Sequence, residues 1–516
     1  MSDGAGTKTM NRSLVVVGAV LIQLCLGAIY AWSVFTPVLT ASDPADVAAA
    51  YSAGKLGIDQ AKLDQMRDEL KKPKADLKAA QTEYSEAVKG KDDAAPAALA
   101  AKAALDTRKT ALVAAMDATA AKYGAKDKID ALKFALTKTQ TQMIFAAGLA
   151  FFAIVMVLAG RMMPKLGPRK LAIAGGLVLG LGYVLAGLIQ PGAFLSTFLL
   201  VGVVGGSGIG LGYVVPIAVG MKWFPDKKGL ITGLAVAGFG FGATLWVKLA
   251  GSWGHLIADM GLGTTFIIYG IAFAAMCIIG ALWMKNPPEG YKPAGWEPPA
   301  PQQGATPTAG SVDYTSGQML RTPQFYMIFL CFVFGAGAGL MSIGLMKLFP
   351  KQALEAGGLS ATEASAIAGT AMAVFYSLAN GIGRIVWGKL SDALGRKTSI
   401  FIMLATQGIV VICFQWMAGN EYLLYLGATL IGFNFGGNFA LFPTITADTF
   451  GTKHIGQNYP WVFLAYGVGG IAGPIMGGKL GDLGKFPLAF SICGGLVLAA
   501  AVLIAFVKHP KTETAA

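Results

Sequence analysis

The sequence predicts an all-α membrane protein with twelve transmembrane helices in two six-helix halves and a helical-hairpin insert between the first two helices. Of the 516 residues, 54% are hydrophobic and only 13% are charged. With a mean hydropathy of +0.58, the chain is too apolar for a soluble protein of this size. Twelve apolar stretches of about bilayer length follow one another along the chain, and the second six repeat features of the first six. These observations together predict the fold class.

The apolar stretches are called spans 1 to 12. Span 1, at 13–39, is too long for the core of a signal peptide and is expected to persist as an uncleaved helix. A capping-box pattern, Ser360 with Glu363, marks the start of span 8. The other spans lie at about 140–160, 169–190, 195–221, 229–250, 263–284, 325–346, 364–390, 398–418, 422–445, 459–480 and 487–508.

The spans and the polar segments between them divide the chain. We expect an N-terminal tail with span 1 (1–40), an extracytoplasmic helical insert (41–138), spans 2–6 of the first half (139–285), a Pro-rich cytoplasmic linker (286–323), spans 7–12 of the second half (324–508) and a short tail (509–516). Each half would then form one six-helix unit.

The insert carries two heptad-like patterns separated by a turn signal at 90–96. The first runs through Leu63, Met66, Leu70, Leu77, Ala80 and Tyr84, and the second through Leu105, Leu112, Met116 and Tyr123. They predict an antiparallel helical hairpin with a kink at Pro73. The alternative is a solvated loop without a fixed structure.

Basic residues outside the insert concentrate in short loops on one side of the predicted bundle: Arg161, Lys165, Arg169, Lys170, Lys222, Lys227, Lys228, Arg396 and Lys397. The positive-inside rule assigns these loops and both termini to the cytoplasm and the insert to the outside. The net charge of +13 therefore reflects topology, and nucleic acid is not expected as a partner. All five cysteines lie in apolar spans, so we expect no disulfide framework, no metal site and no cofactor.

The two halves repeat. The loop after span 2 reads GRMMPKLGPRK from Gly160 and the loop after span 8 reads GKLSDALGRK from Gly388, an offset of 228 residues (388 minus 160). Pro216 in span 4 and Pro443 in span 10 are offset by 227 residues (443 minus 216). Two nearly equal offsets indicate a duplicated six-helix unit, which is a transporter architecture.

Arg384 is a full positive charge inside span 8. Asn380 and Tyr376 precede it by four and eight residues, so a helix places all three on one face. An arginine inside a membrane helix is costly and usually faces the bundle interior or a wet cavity. Because guanidinium carries a planar fork of donors that fits a carboxylate, we interpret Arg384 as an anion anchor. The alternative is that its side chain snorkels to the nearby helix end.

The loop pattern G-x-x-x-D-x-x-G-R-K after span 8, echoed after span 2, resembles the signature of the major facilitator superfamily. More narrowly, the chain resembles the oxalate/formate antiporter family, as a monocarboxylate-transporter-like member. The segments that carry this resemblance are QLCLGAIYAWSVF, GSGIGLGYVVP with KWFPDKKG, NGIGRIVWGKLSD, NFGGNFALFP and GQNYPWVFLAYGVGGIAG. The resemblance covers the chain except the insert. It implies the major facilitator fold, a central carboxylate site, alternating access and a multi-pass protein of the prokaryotic cytoplasmic (inner) membrane.

The resemblance also implies site residues. Arg384 occupies the place of a span-8 arginine that binds substrate carboxylate in the family, and Asn380 would orient it or the substrate. The other matching candidates for substrate binding are Tyr30, Tyr213, Phe435, Phe439, Asn438 and Tyr466. For the aromatic residues, ordinary helix packing is the alternative. Tyr466 stands where the family's oxalate carrier has a lysine, which puts a second cation at the site in doubt.

The repeated loops imply a conformational latch. Its residues are Gly160, Gly167 and Arg169 in the first half, and Gly388, Asp392, Gly395 and Arg396 in the second. Asp392 can face a helix N-terminus and stabilise one conformation. The first half has Pro164 where the motif has an acid, which puts the first-half latch in doubt.

We therefore expect a monomeric secondary transporter of small carboxylate anions, above all lactate-, pyruvate- or formate-like monocarboxylates. Exchange and proton-coupled symport are both open, although no Asp or Glu falls within any predicted span. Two alternatives are an oxalate/formate-type dicarboxylate exchanger and a non-transporting sensor whose insert binds a periplasmic partner. An enzyme is not expected, because no nucleophile–base pair emerges. Lys248 and Lys347, near outer helix ends, are expected to snorkel.

Overall fold

A computed structural model describes residues 10–40, 58–88, 96–132, 136–251, 253–293, 295–297, 313–346, 348–359, 361–508 and 510. All regular structure in these residues is helical. The Ser360 position of the predicted capping box, the 90–95 part of the hairpin turn and Lys347 lie outside them.

The helices before the linker are α1 (Arg12–Leu26), α2 (Thr36–Thr40), α3 (Gln60–Val88), α4 (Pro96–Lys122), α5 (Lys126–Leu132), α6 (Lys138–Leu166), α7 (Pro168–Leu188), α8 (Phe194–Thr197), α9 (Gly206–Trp223), α10 (Lys228–Ala250) and α11 (Leu256–Ala281). A capping box begins α6, in which Thr137 accepts from the backbone N–H of Gln140 and the Gln140 side chain accepts from that of Thr137. Helices α1, α6, α7, α9, α10 and α11 correspond to spans 1 to 6.

The helices after the linker are α12 (Ser316–Met319), α13 (Pro323–Leu345), α14 (Leu348–Ala356), α15 (Ala361–Thr370), α16 (Ser377–Leu394), α17 (Arg396–Met417), α18 (Glu421–Phe450), α19 (Ile455–Asp482) and α20 (Phe486–Ala505). Helix α13 begins with proline at its first position, where the missing N–H costs nothing, and Thr322 caps it. Span 8 corresponds to α15 and α16, and spans 7 and 9 to 12 to the remaining long helices.

Ten helices of the described chain are long and apolar enough to cross a membrane. The two predicted spans outside that set are span 8 and span 10. Span 8 carries Arg384 and Lys389, and α16 continues beyond it to include Asp392. Span 10 is flanked by Glu421 and Asp448 at the two ends of α18. The structure therefore gives an all-helical bundle with ten clear membrane helices.

Three stretches depart from α geometry, and sequence periodicity predicted none of them. Gly27–Val34, which continues α1, is a 3-10 helix, while Phe198–Gly205 and Ala371–Tyr376 are π-helical. The first begins where the chain touches α10, because a Cβ on Gly27 would lie 2.1 Å from the carbonyl oxygen of Phe239. The π-helical turn in span 8 ends one turn before Asn380, and such turns often mark functional sites.

The insert forms the predicted antiparallel pair of helices, α3 against α4, and α3 continues through Pro73. Leu63, Met66, Leu70 and Leu105 of the two heptad patterns are buried. Lys122 pairs with Glu69 across the hairpin at 2.5 Å, and this bond lowers the pKa of the Glu69 carboxyl. The hairpin base, through Leu63, Met66 and Ile129, belongs to the same apolar core as the membrane helices.

Helix pairing follows the sequence repeat. In the first half α7 packs on α11, α6 on α9 and α1 on α10; in the second half α17 packs on α20, α16 on α18 and α13 on α19. The halves meet where α10 packs on α16 and α19 on α6. The loops that precede α7, α10, α17 and α19 gather at one end, called the basic end, and the insert joins α1 to α6 at the other.

Candidate functional site

Arg384 lies in the interior of the bundle and is fully buried. Its Nε donates to Asn380 Oδ1 at 3.0 Å, one turn away on the same helix. The two residues therefore lie on one face of the helix, as their spacing in the sequence predicted. Its Nη1 donates to the backbone carbonyl of Val236, on α10 of the other half, at 2.8 Å. Nη2 is buried and has no hydrogen-bond partner. The side chain therefore does not snorkel, and it keeps one donor group for another acceptor.

Aromatic rings surround the guanidinium. Its central carbon lies 4.2 Å from the centre of the Phe439 ring and 5.8 Å from that of Phe239. Both are within the range of cation–π attraction, which offsets part of the cost of burying the charge. The Tyr30 ring stands edge-on to Phe239, and the Tyr466 ring edge-on to Phe439. The predicted residues Tyr30, Phe439 and Tyr466 thus come together around Arg384.

Phenol groups supply the other polar atoms of this region. The Tyr30 and Tyr466 hydroxyls are hydrogen bonded to each other, which joins the 3-10 stretch of span 1 to α19. The hydroxyls of Tyr213 and Tyr459 are buried without a partner. Both rings pack against Phe463, with centres 5.2 and 5.7 Å away. An unpartnered buried hydroxyl is costly, so these two groups are available to a bound molecule.

Two predicted residues lie away from the guanidinium. The Asn438 amide donates to the carbonyls of Asn434 and Phe435, and its oxygen faces Gly335 on α13. The Phe435 ring lies behind Phe439, at 5.3 Å. Asn438 precedes Phe439 by one residue, which is a rotation of about 100° around the helix axis. The two side chains therefore point in different directions. The Asn438 Oδ1 is buried without a hydrogen-bond partner, and its role in binding substrate stays a prediction.

The described site contains one cation and no acid. The side chains that bond or pack on Arg384 are an amide and aromatic rings. Of the unpartnered buried groups here, Arg384 Nη2 and the Tyr213 and Tyr459 hydroxyls can donate, whereas Asn438 Oδ1, which faces Gly335 on α13, can only accept. A separate apolar cavity of about 20 Å³, lined by Ile29, Ile144 and Val201 among others, lies elsewhere in the first half. The arrangement suits an anion that also accepts hydrogen bonds from neutral donors.

The second-half latch is in place at the basic end. Asp392 accepts from the backbone N–H groups of Gly229 and Leu230 at 2.9 and 2.8 Å, at the N-terminus of α10. Its carboxylate also pairs with Arg396 at 2.7 Å. Here the partial positive charge of the helix terminus favours the carboxylate. Gly388 permits the contact, since a Cβ there would lie 2.3 Å from the Gly229 carbonyl oxygen.

Asp448 extends this cluster and was not predicted from the sequence. It pairs with Arg396 at 2.9 Å and with Lys228 of the other half at 2.8 Å. Gly395 takes the positive φ of 85° that glycine tolerates, which lets α17 begin directly after α16. The cluster thus links the two halves by four charged side chains and one helix terminus.

The first-half counterpart is built differently. Gly160 packs directly against α19, where a Cβ would lie 2.4 Å from the Gly456 carbonyl oxygen. The neighbouring Arg161 guanidinium lies 5.5 Å from the centre of the Trp461 ring. Gly167 has a φ of 77°, and Arg169 donates to the carbonyls of Ala281 and Leu282 at the end of α11. Among these residues the contact with α19 is made by Gly160 and Arg161.

Sequence reasoning missed Phe239, Val236 and Tyr459. Phe239 and Tyr459 are aromatic residues in apolar spans, where packing is the common role and no spacing sets them apart. Val236 contributes a backbone carbonyl, which has no sequence signature. The 228-residue repeat does not identify them either. It relates Asn380 and Arg384 of the second half to Phe152 and Met156 of the first half, not to these three residues.

Comparison with known proteins agrees with this architecture. The sequence profile of the Major Facilitator Superfamily matches residues 107–375 and 345–516. The chain is 29% identical over 347 residues to the uncharacterized MFS-type transporter YhjX of Escherichia coli (strain K12), covering 66% of this chain and 79% of that protein. It is 26% identical over 352 residues to the oxalate:formate antiporter of Oxalobacter formigenes, covering 67% and 77%. Monocarboxylate transporter 14 of Mus musculus is 22% identical over 429 residues, covering 71% and 82%.

Solved structures share the fold. The human organic anion transporter MFSD10 (TETRAN) superposes with a TM-score of 0.57 at 13% identity, covering 96% of this chain and 100% of that one. The E. coli fucose:proton symporter FucP superposes with a TM-score of 0.52 at 14% identity, covering 73% and 93%. At these identities the likeness concerns the fold alone. With the profile match over most of its length, the chain belongs to the Major Facilitator Superfamily and is a multi-pass membrane transporter rather than an enzyme.

Proposed function

We propose that this transporter carries small monocarboxylate anions of the lactate, pyruvate or formate type, with Arg384 as the carboxylate anchor. The observation that carries the proposal is the buried Nη2 group of Arg384, which has no partner in a setting of further donors. A carboxylate supplies the missing acceptor and the missing negative charge together. Alternating access of the two halves around this site would move the anion across the membrane.

A single charge favours a monoanion. Arg384 can compensate one carboxylate, and the polar groups of the aromatic shell around it include the phenols of Tyr30 and Tyr466, which lie on the 3-10 stretch of span 1 and on α19. A phenol donates a hydrogen bond but does not neutralise a second carboxylate. Leaving a buried charge uncompensated costs on the order of several kcal/mol, while about 1.4 kcal/mol already corresponds to tenfold in affinity. The phenols suit a neutral oxygen of the substrate, such as a keto or hydroxyl group.

An oxalate/formate-type exchanger is the second candidate. It is favoured by the 26% identity to a protein named as an oxalate:formate antiporter. In that case a second cation would have to approach the site. Lys248 is the described lysine to test first, since it lies on α10 together with Val236 and Phe239.

The proposal includes a topology. Spans 8 and 10 would cross the membrane with the ten apolar helices, giving twelve, because α16 and α18 pack on each other and on α10 between the halves. The basic end would face the cytoplasm of a bacterial inner membrane, with both termini, and the insert would lie outside. We further propose that the carrier works as a monomer and that the insert, rather than the bundle, is available to a periplasmic partner.

Three experiments test the proposal. Purified protein should gain thermal stability with lactate, pyruvate or formate, because a ligand that binds the folded state stabilises it. Reconstituted vesicles should take up the same labelled anions, and a protein that binds them without uptake would be a sensor.

A cysteine placed at Ala104 on the exposed face of α4, in a version otherwise free of cysteine, should react with an impermeant maleimide outside intact cells. Labelling only after permeabilisation would reverse the orientation.

A further inference from the structure

Arg384 connects the two halves of the transporter through its own side chain. It belongs to α16 of the second half, and its Nη1 donates to the Val236 carbonyl of α10 in the first half at 2.8 Å. The helices touch backbone to backbone here, because a Cβ on Gly233 would lie 2.3 Å from the Arg384 carbonyl oxygen. A helix carbonyl has a second lone pair, so it can accept this bond without losing its own helical partner.

The three nitrogen atoms of the Arg384 guanidinium therefore differ in their hydrogen-bond partners. Nε is occupied by Asn380 within the same helix, Nη1 by Val236 across the interface, and Nη2 has no partner. A carboxylate can bind a guanidinium through two parallel bonds, either to both Nη groups or to Nε and one Nη. Nη1 has a second N–H, but a complex through both Nη groups brings a charged carboxylate, a stronger acceptor than a neutral carbonyl, onto the nitrogen that bonds Val236. Displacing Val236 from Nη1 breaks the bond between the halves.

We propose that the substrate carboxylate and the Val236 carbonyl compete for Nη1 of Arg384, so that substrate binding releases a direct bond between the two halves. This inference rests on the proposed function for its ligand, and on the Arg384–Val236 bond for its mechanism. When no carboxylate is bound, Arg384 holds α16 to α10 and slows opening of the basic end. When a carboxylate takes Nη1, the remaining contacts at the interface separate more readily. Exchange is then favoured over net flux, because the loaded carrier reorients faster than the unloaded one.

Thr232 is a suitable reporter position. It lies on α10 between Gly229 and Gly233 and is 1% exposed, with an unpartnered hydroxyl. In a protein whose five cysteines have been replaced, Thr232→Cys should react slowly with a soluble maleimide and faster whenever α10 and α16 separate. The substitution keeps the size of the side chain, so it disturbs the closed interface little.

The test compares alkylation of this cysteine in detergent-purified protein without added carboxylate. Arg384→Met, which removes the bond and the charge but retains an apolar chain of similar length, should react roughly tenfold faster, as expected when a charge-assisted hydrogen bond between the halves is lost. Arg384→Gln, whose amide is too short to reach Val236, should also react faster and serves if the first variant does not fold. Lys389→Met is the matched control, since it removes an exposed cation from the same helix and should react at the parent rate.

Lactate and pyruvate, added in turn to the protein that retains Arg384, should raise the rate, and they should leave the rate of Arg384→Met unchanged. If Arg384→Met and Arg384→Gln both react at the parent rate, the bond does not hold the halves together and the inference is wrong. Failure of the proposed function looks different. No carboxylate would then shift the thermal stability of the parent, while the two variants would still react faster in the absence of any ligand.

Discussion

The hydroxyl of Tyr30 is hydrogen bonded to the hydroxyl of Tyr466, so the first and second halves of the transporter share a polar contact beside Arg384. Only one of the two O–H groups is used in that bond, and the other keeps a proton to donate. The contact lies where the related oxalate carriers place a lysine, according to the sequence resemblance. The pair therefore provides hydrogen bonding at a position where a charge would select for dianions.

Replacing Tyr466 with lysine should shift the preference of the carrier toward dicarboxylates. The new ammonium group would compensate the second carboxylate of oxalate, and we expect at least about a tenfold gain in the ratio of oxalate to lactate affinity. Tyr466→Phe is the control, because it keeps the ring contact with Phe439 and adds no charge. Competition of oxalate against labelled lactate measures the affinity ratio in both variants. An unchanged ratio in the lysine variant would mean that position 466 does not face the substrate.

Asn380→Asp should make transport depend on pH. In the described site Arg384 is bonded to an amide and a backbone carbonyl, neither of which titrates, so we expect little pH dependence from these groups between about pH 5.5 and 8. An aspartate at this position would neutralise Arg384 when ionised and would compete with the substrate carboxylate. Its protonation as the pH falls would remove that competition, so uptake by the variant should rise toward acid pH. Asn380→Ala, which cannot ionise, should lack this rise, and an equally steep rise there would exclude the explanation.

Asp392→Asn should weaken closure of the basic end more than Arg161→Ala does. Asp392 accepts two backbone bonds from the α10 terminus and pairs with Arg396, whereas Arg161 contributes one cation–π contact to Trp461. An exposed cation–π contact is worth about 0.5–1 kcal/mol, less than the set of charge-assisted bonds to Asp392. The alkylation rate of Thr232→Cys reports both variants in one assay. A larger effect from Arg161→Ala would mean that the first-half contact is the stronger latch.

Shortening the insert should leave substrate affinity within a few-fold of the parent. The upper hairpin closes on itself through Leu70, Leu105 and Leu112, and these residues are not part of the central apolar core. Replacing residues 74–112 with a short Gly/Ser linker keeps the base of the hairpin. Met66→Lys tests that base separately, because it buries a charge at a fully buried position and should lower thermal stability. Loss of binding in a folded, shortened protein would show that the hairpin completes the site.

The sequence predicted those features of the fold that hydropathy and charge along the chain indicate. The apolar runs, the offset between Gly160 and Gly388, and one arginine in an apolar span were enough to predict the helices, the repeat of the two halves and the interior position of Arg384. The heptad pattern that includes Leu63 and Met66 was predictable for the same reason, because a paired helix buries one apolar face against its partner.

Other features depend on contacts that have no local pattern. The 3-10 stretch begins at Gly27, where the Phe239 backbone approaches too closely for a side chain. The partner of Arg384 Nη1 is a carbonyl that any residue could supply. Asn438 was predicted from the family resemblance, and the direction of its amide, toward Gly335 on α13, could not be predicted from the sequence. Distances across the bundle decide these cases, and a single sequence does not contain them.

The most direct test of the account is the binding of lactate, pyruvate and oxalate to the parent protein and to Arg384→Lys, measured by calorimetry on purified protein. Lysine keeps the charge but loses the planar fork of donors, so we predict that the parent binds the monocarboxylates more tightly than oxalate and that Arg384→Lys loses at least about a hundredfold in affinity for all three. If Arg384→Lys binds lactate or pyruvate as tightly as the parent does, or if the parent prefers oxalate to both, Arg384 is not the sole carboxylate anchor and the proposed selection for monoanions is wrong.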